Sequence, residues 1–221
     1  PDYKGDTLMY FSRIDAEIRG YSQLSKSLHL NNFKAKNARF YLRTHFGDSL
    51  PNISYFVQAF DDGKPKDPNR SFNVKSEEVQ ISGGRFYLDN RNDTSMVHFF
   101  WREIQADIYN FLLAGKDVGG DINSLSFRDG RKLEVRDTKG NFLYGPKGVV
   151  VQGLELLTGR GHLKGNITFI TPSASSYSYF VDSVVMMGNI DYSAVAAGDV
   201  RYFSRAYPLF PTANFKGEFD G

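Results

Sequence analysis

Metal or general-base chemistry in this chain would be built from four histidines, His29, His45, His98 and His162. No two of them stand at HxxH or HxxxH spacing, and the sequence sets no carboxylate cluster beside any of them, so they read as packed or surface side chains. No serine lies in a G-x-S-x-G or S-x-x-K context, so a nucleophile elbow is missing. The absence of cysteine excludes a thiolate nucleophile, a disulfide framework and a thiolate metal site, and leaves the compartment open. Gly159-Arg160-Gly161-His162-Leu163-Lys164-Gly165 fits neither phosphate-cradling glycine pattern and has no helix after it, so it reads as a turn. Asp61-Asp62 and Glu77-Glu78 are adjacent carboxylates. Glycoside hydrolysis needs two carboxylates facing each other across a sugar, whereas neighbours on a strand point to opposite faces. These pairs therefore read as solvated charge, and no catalytic residue, metal site or cofactor is expected.

Two further patterns carry recognition vocabulary. Asn52, Asn69, Asn92 and Asn166 each open an N-x-[ST] sequon. Arg39-Phe40-Tyr41 and Arg85-Phe86-Tyr87 interleave basic and aromatic residues, as base-stacking proteins do. With 27 Lys+Arg against 25 Asp+Glu, the formal charge is only +2, so nucleic acid is not an expected partner. A strand with a core Phe and a rim Tyr accounts for the same residues.

The elements that must position these residues are strands. The chain is 41% hydrophobic, 15% aromatic and 24% charged, the composition of a folded domain. Alternation with period 2 is clear over 11–19, where Ile14, Ala16 and Ile18 oppose Arg13, Asp15, Glu17 and Arg19. The same pattern recurs over 38–44, 84–90, 102–109, 122–128, 132–136, 148–156 and 162–170, and less cleanly over 181–192. Gly83-Gly84, Gly119-Gly120, Asp129-Gly130, Lys139-Gly140 and Gly159–Gly161 punctuate the runs, with Asp129-Gly130 reading as a hairpin and Lys139-Gly140 as the next turn. Helical spacing predicts two short amphipathic helices: 49–60, with Ser49 as cap and Pro51 in the first turn, and 193–207, with Ser193 as cap and Pro208 as stop. The polar stretches 61–71 and 171–178 read as loops. No run of 18 apolar residues occurs; Val181–Met187 comes nearest, and no secretory signal is visible. The chain is expected to be a single unit over residues 1–221, excised from a longer protein.

An internal repeat is present. Leu28, Phe33, Ala35, Ala38 and Arg39-Phe40-Tyr41-Leu42 match Val74, Val79, Ile81, Gly84 and Arg85-Phe86-Tyr87-Leu88 at an offset of 46 residues, which implies a unit of strands stacking on its copy. A sandwich would close its apolar faces on each other. A sheet curled along its length would instead present a continuous apolar trough for acyl chains. Each buried methylene is worth about 0.8 kcal/mol, so a 16-carbon chain costs roughly 13 kcal/mol to bring into water. A trough lowers that barrier with no catalytic group. The inward residues would be Ile14, Ile18, Phe40, Leu42, Phe86, Leu88, Ile104, Ile108, Val149, Val151, Ile167 and Phe169. The alternative is a closed β-sandwich or solenoid that binds a glycan or protein through exposed Tyr and the sequon-bearing loops.

The run Val79-Gln-Ile-Ser-Gly-Gly-Arg-Phe-Tyr-Leu-Asp89, the segments Trp101–Asn110, Ile122–Asp129 and Leu154–Gly165, and the flanking Tyr3–Leu8 and Phe215–Gly221 share one cadence of strands and turns. That cadence resembles the AsmA-like proteins, and within them the TamB proteins of Bacteroidota-type bacteria. The resemblance covers most of the chain and contains no catalytic signature. It implies a mainly β fold, a curled antiparallel sheet forming a hydrophobic groove (the β-taco). It also implies a parent anchored in the inner membrane by an N-terminal helix, with a periplasmic body reaching toward an outer-membrane barrel of the Omp85 class. The implied role is carriage of phospholipid toward the outer membrane, in outer-membrane biogenesis. The two predicted helices depart from that pattern and could cap or obstruct the trough.

Overall fold

The computed structural model describes residues 1–23, 26–58, 73–92, 99–115, 117–170, 185–199 and 212–220. Among them lie twelve strands and one helix: β1 (Met9–Tyr10), β2 (Arg13–Ser22), β3 (Ser27–Lys36), β4 (Arg39–Thr44), α1 (Asn52–Gln58), β5 (Asn73–Asn90), β6 (Phe99–Ala114), β7 (Asp117–Asp129), β8 (Glu134–Gly145), β9 (Gly148–Thr158), β10 (His162–Ile170), β11 (Val185–Val195) and β12 (Ala213–Asp220). All twelve strands join one open, curled sheet, and from β5 to β12 the spatial order follows the chain. Period-2 alternation makes such a meander, because each strand offers the same apolar face to its neighbour.

The sheet is mixed, not wholly antiparallel. β3 and β4 both run parallel to β5, pairing Leu28 with Val74, Phe33 with Val79, Phe40 with Phe86 and Leu42 with Leu88. Every pair in these two ladders is offset by 46 residues, so the sequence repeat is itself the pairing register. β1 and β2 continue one another against β4 and β3 in antiparallel register.

Two rows of irregularity cross the strands. In the first, Arg19, Asn31, Glu77 and Asn110 are skipped by the ladders of β2, β3, β5 and β6. In the second, Asn37, Gly83 and Glu103 have positive φ (49°, 67° and 56°). Bulges bend a strand and increase its twist, so aligned bulges crease the sheet. Gly83-Gly84 and Gly119-Gly120, expected between strands, therefore lie within β5 and β7. Lys139-Gly140 lies inside β8 at a register shift, and the turn falls at Gly145–Gly148 instead. A Cβ at Gly140 would come 3.0 Å from the Gln152 carbonyl, which explains this glycine as a close strand approach. Asp129-Gly130 does join β7 to β8.

The helices also shift. α1 starts at Asn52, so Ser49 does not cap it; residues 59–60 lie outside the described residues. β11 carries through the expected helix start at Ser193. The Ser193 hydroxyl is fully buried, accepting from the Lys164 N–H (3.0 Å) and donating to the Asp191 carbonyl (2.9 Å). A helical turn begins at 197, and residues 200–211 lie outside the described residues. No described helix is long and apolar enough to cross a membrane.

Candidate functional site

The register brings the twelve sequence-predicted apolar residues onto one face. Ile14 lies opposite Ala35 and Ile18 opposite Leu30; Phe40, Phe86 and Trp101 form one row, and Leu42, Leu88 and Phe99 the next. Ile104 faces Gly84, Ile108 faces Val79 and Ile122, and Val149 and Val151 face Phe169 and Ile167. Close packing fixes these rows: a Cβ at Gly84 would stand 2.9 Å from Ile81 and 3.1 Å from Ile104.

Between the creases the floor is aliphatic, with Ala35, Val79, Ile81, Ala106, Ile108 and Ile122. Beyond the second crease the wall is aromatic. Phe86 tilts on Trp101 (5.1 Å between centroids), which stacks on Phe127 (4.4 Å), while Phe11 meets Phe40 edge-on (5.5 Å). Phe127, Leu133 and Val135 form the buried cluster there, with Ile104, Leu125 and Leu156 against it. Ile14 and Ile18, at the β2 edge, stay 47% and 65% exposed. The described elements in extensive contact are neighbouring strands, plus α1 on β4, so no described element lies across the apolar face. The chain exposes 14022 Å², against about 10,000 Å² for a compact protein of this mass.

The two rims, formed by opposite strand ends, differ. At one rim the Asp129 carboxylate accepts from the Phe100 N–H (3.1 Å) and the Arg131 N–H (2.7 Å), which holds the turn that inserts Leu133. Beside it, the Thr158 hydroxyl donates to Asp199 (2.6 Å), docking the buried Ala196 and Ala197 on the β9–β10 turn. α1 adds to this rim without covering the face. Asn52 behaves as one rung of an added strand: its Nδ2 donates to the Tyr41 carbonyl (2.9 Å) and its Oδ1 accepts from the Arg43 N–H (3.0 Å), closing the free edge of β4. At the opposite rim Tyr21, Tyr144, Ile170 and Val185 remain exposed.

The sequence placed no carboxylate beside a histidine, but the fold does. Asp2, Asp6 and buried His45 offer three ligand atoms within 4.8 Å. All three are already engaged: Asp2 Oδ2 accepts from Asn52 (3.1 Å) and pairs with His45 Nε2 (2.9 Å), and Asp6 pairs with Arg43 (2.6 Å). The group is a tether between the N-terminal segment and β4. Burial pushes the Asp2 carboxyl up, but hydrogen bonds from His45, Asn52 and the backbone N–H groups of Lys4 and Asp6 outweigh it and hold the group at about 2. Contacts across 43 residues leave no trace in local spacing. His29 projects from β3 away from the apolar face, His162 opens β10, and His98 lies outside the described residues.

The sequons divide similarly. Asn52 is buried with its amide in use, and the Asn92 amide donates to the His45 and Asp48 carbonyls, whereas Asn166 is exposed on β10; Asn69 lies outside the described residues. The sequence reading also missed inward residues such as Phe33, Phe111 and Phe142, because each bulge shifts the alternation by one. The 46-residue repeat already aligns Phe33 with Val79, and the structure adds that both lie on the apolar face. No family model, no curated protein and no solved structure matches the chain.

Proposed function

We propose that this chain is a non-catalytic groove segment of a periplasmic bridge, anchored in the inner membrane through its parent protein, that carries phospholipid toward an outer-membrane barrel of the Omp85 class. The reading joins the AsmA-like and TamB-like cadence of the sequence to one structural observation: an apolar face continuous over eight strand widths, from β2 to β10, on an open sheet, with no described element across it. A closed sandwich would have a second sheet over that face, and the twelve strands form only one. Acyl chains would lie on the aliphatic floor and aromatic wall, exchanging one set of apolar contacts for the next, while the charged opposite face stays in water.

Native mass spectrometry of the gently purified protein, with lipid extraction from the same sample, tests this. Phospholipid should co-purify and should be lost from folded Phe86→Asp protein. A clean apo mass after incubation with phospholipid vesicles would overturn the reading.

A further inference from the structure

We infer that the polar face carries a second binding site, for a neutral oligosaccharide, built by the first row of bulges. The side chains released from pairing by those bulges, Arg19, Asn31, Glu77 and Asn110, come from four adjacent strands and all line one open depression of about 810 Å³. Asn32, Glu78 and Tyr109 complete it. Bending alone does not account for this. The second row, at Asn37, Gly83 and Glu103, also creases the sheet, but its middle member is a glycine, so it offers two polar side chains where the first row offers four: Asn37, whose Nδ2 donates to Ser12 (3.0 Å), and Glu103, which pairs with Arg128 (3.2 Å).

In the first row the side chains are held while leaving acceptors free. Asn31 and Asn32 each donate Nδ2 to Glu17 (both 3.0 Å), and Asn110 donates to Asp121 (2.6 Å). Three amide oxygens are thereby left as acceptors, between the Glu77 and Glu78 carboxylates. Arg19, paired with Glu77, supplies donors. Tyr109 is 40% exposed, a ring on which the apolar face of a pyranose can lie. The Tyr109 hydroxyl donates to Glu78 (3.5 Å), and the Asp107 charge, burial and the Glu78 charge push its pKa up, so it keeps its proton at neutral pH. A ligand that matches must present many hydroxyl donors, some acceptors and a flat C–H surface. It must also not be anionic, because Glu77 and Glu78 line the depression against Arg19 alone and would repel uronates and sialic acids. An oligosaccharide meets all of these conditions.

The site is separate from the apolar face, so its test does not depend on lipid. Titrating ¹⁵N-labelled protein with maltotriose and with chitotriose at millimolar concentration should shift the amides of Asn31, Asn32, Tyr109 and Asn110 for at least one sugar. Tyr109→Ala should abolish the shifts. Asn110→Gly suits the positive φ of 53° there and removes only the amide, and should weaken binding by about three- to tenfold. Flat titrations with both sugars, or shifts that survive both substitutions, would overturn the proposal.

Discussion

Asn37 and Gly83 stand side by side at equivalent positions of the repeat, both in the left-handed region, and the Asn37 N–H donates to the Ser82 carbonyl at 2.8 Å. A Cβ at Gly83 would lie 2.7 Å from Asn37 Oδ1. Gly83→Ala is thus expected to destabilise the fold by about 1–3 kcal/mol, from left-handed strain and the contact together. Asn37→Gly relieves the left-handed strain at 37 but loses the Asn37–Ser12 hydrogen bond, and should change stability by less than about 1 kcal/mol. Urea denaturation of the two variants, side by side, checks the contrast.

Ile18 separates lipid capture from folding more cleanly than any core position, because it is exposed at the β2 edge. Ile18→Asp should leave stability within about 0.5 kcal/mol of the parent. It should also reduce co-purifying phospholipid, since a carboxylate would then lie beside Leu30 on the trough wall. Melting temperature and lipid content, read from one preparation, decide it.

Asn52→Ala would leave the Tyr41 carbonyl, the Arg43 N–H and Asp2 without the amide at a buried edge. An expected loss of about 2–4 kcal/mol follows from two orphaned backbone groups. Thermal unfolding measures it, and amide exchange should quicken at Arg43.

Acid should release the N-terminal tether. The Asp2 carboxyl lies lower in the folded protein (about 2) than its ordinary value of 3.8. Its contribution to stability is therefore complete above about pH 4 and is lost as pH falls toward 2. The stability difference between the parent and Asp2→Ala should shrink across that window. A difference that does not change with pH would show that Asp2 acts there by shape alone.

These residues mark what a single sequence can and cannot disclose. Alternation identified the strands and, through residues such as Phe40, Phe86 and Val151, the face they share, because the side-chain period of a strand is fixed by its geometry. The repeat even held the parallel register. Glycine was ambiguous: Gly83, Gly120 and Gly140 resemble turn residues, yet serve as bulges or close strand approaches, a distinction set by what packs opposite. The Asp2–His45–Asn52 tether and the polar depression were invisible, since each assembles from residues of different strands or segments that only the register brings together.

The order of the strands has a further consequence, for how the chain reaches this state. From β5 to β10 each strand pairs with the one just made, so that part of the sheet can zip up through short-range hairpins. β1 to β4 form a second hairpin unit by the same means. Joining the two requires the parallel seam, in which Thr44 pairs with Asn90 and Asn73 with Ser27, so the chain must cross from one rim to the other between Thr44 and Asn73 before any rung is made. Closing that crossover is the longest loop closure between paired strands of the sheet, so the seam is expected to form after the hairpins flanking it.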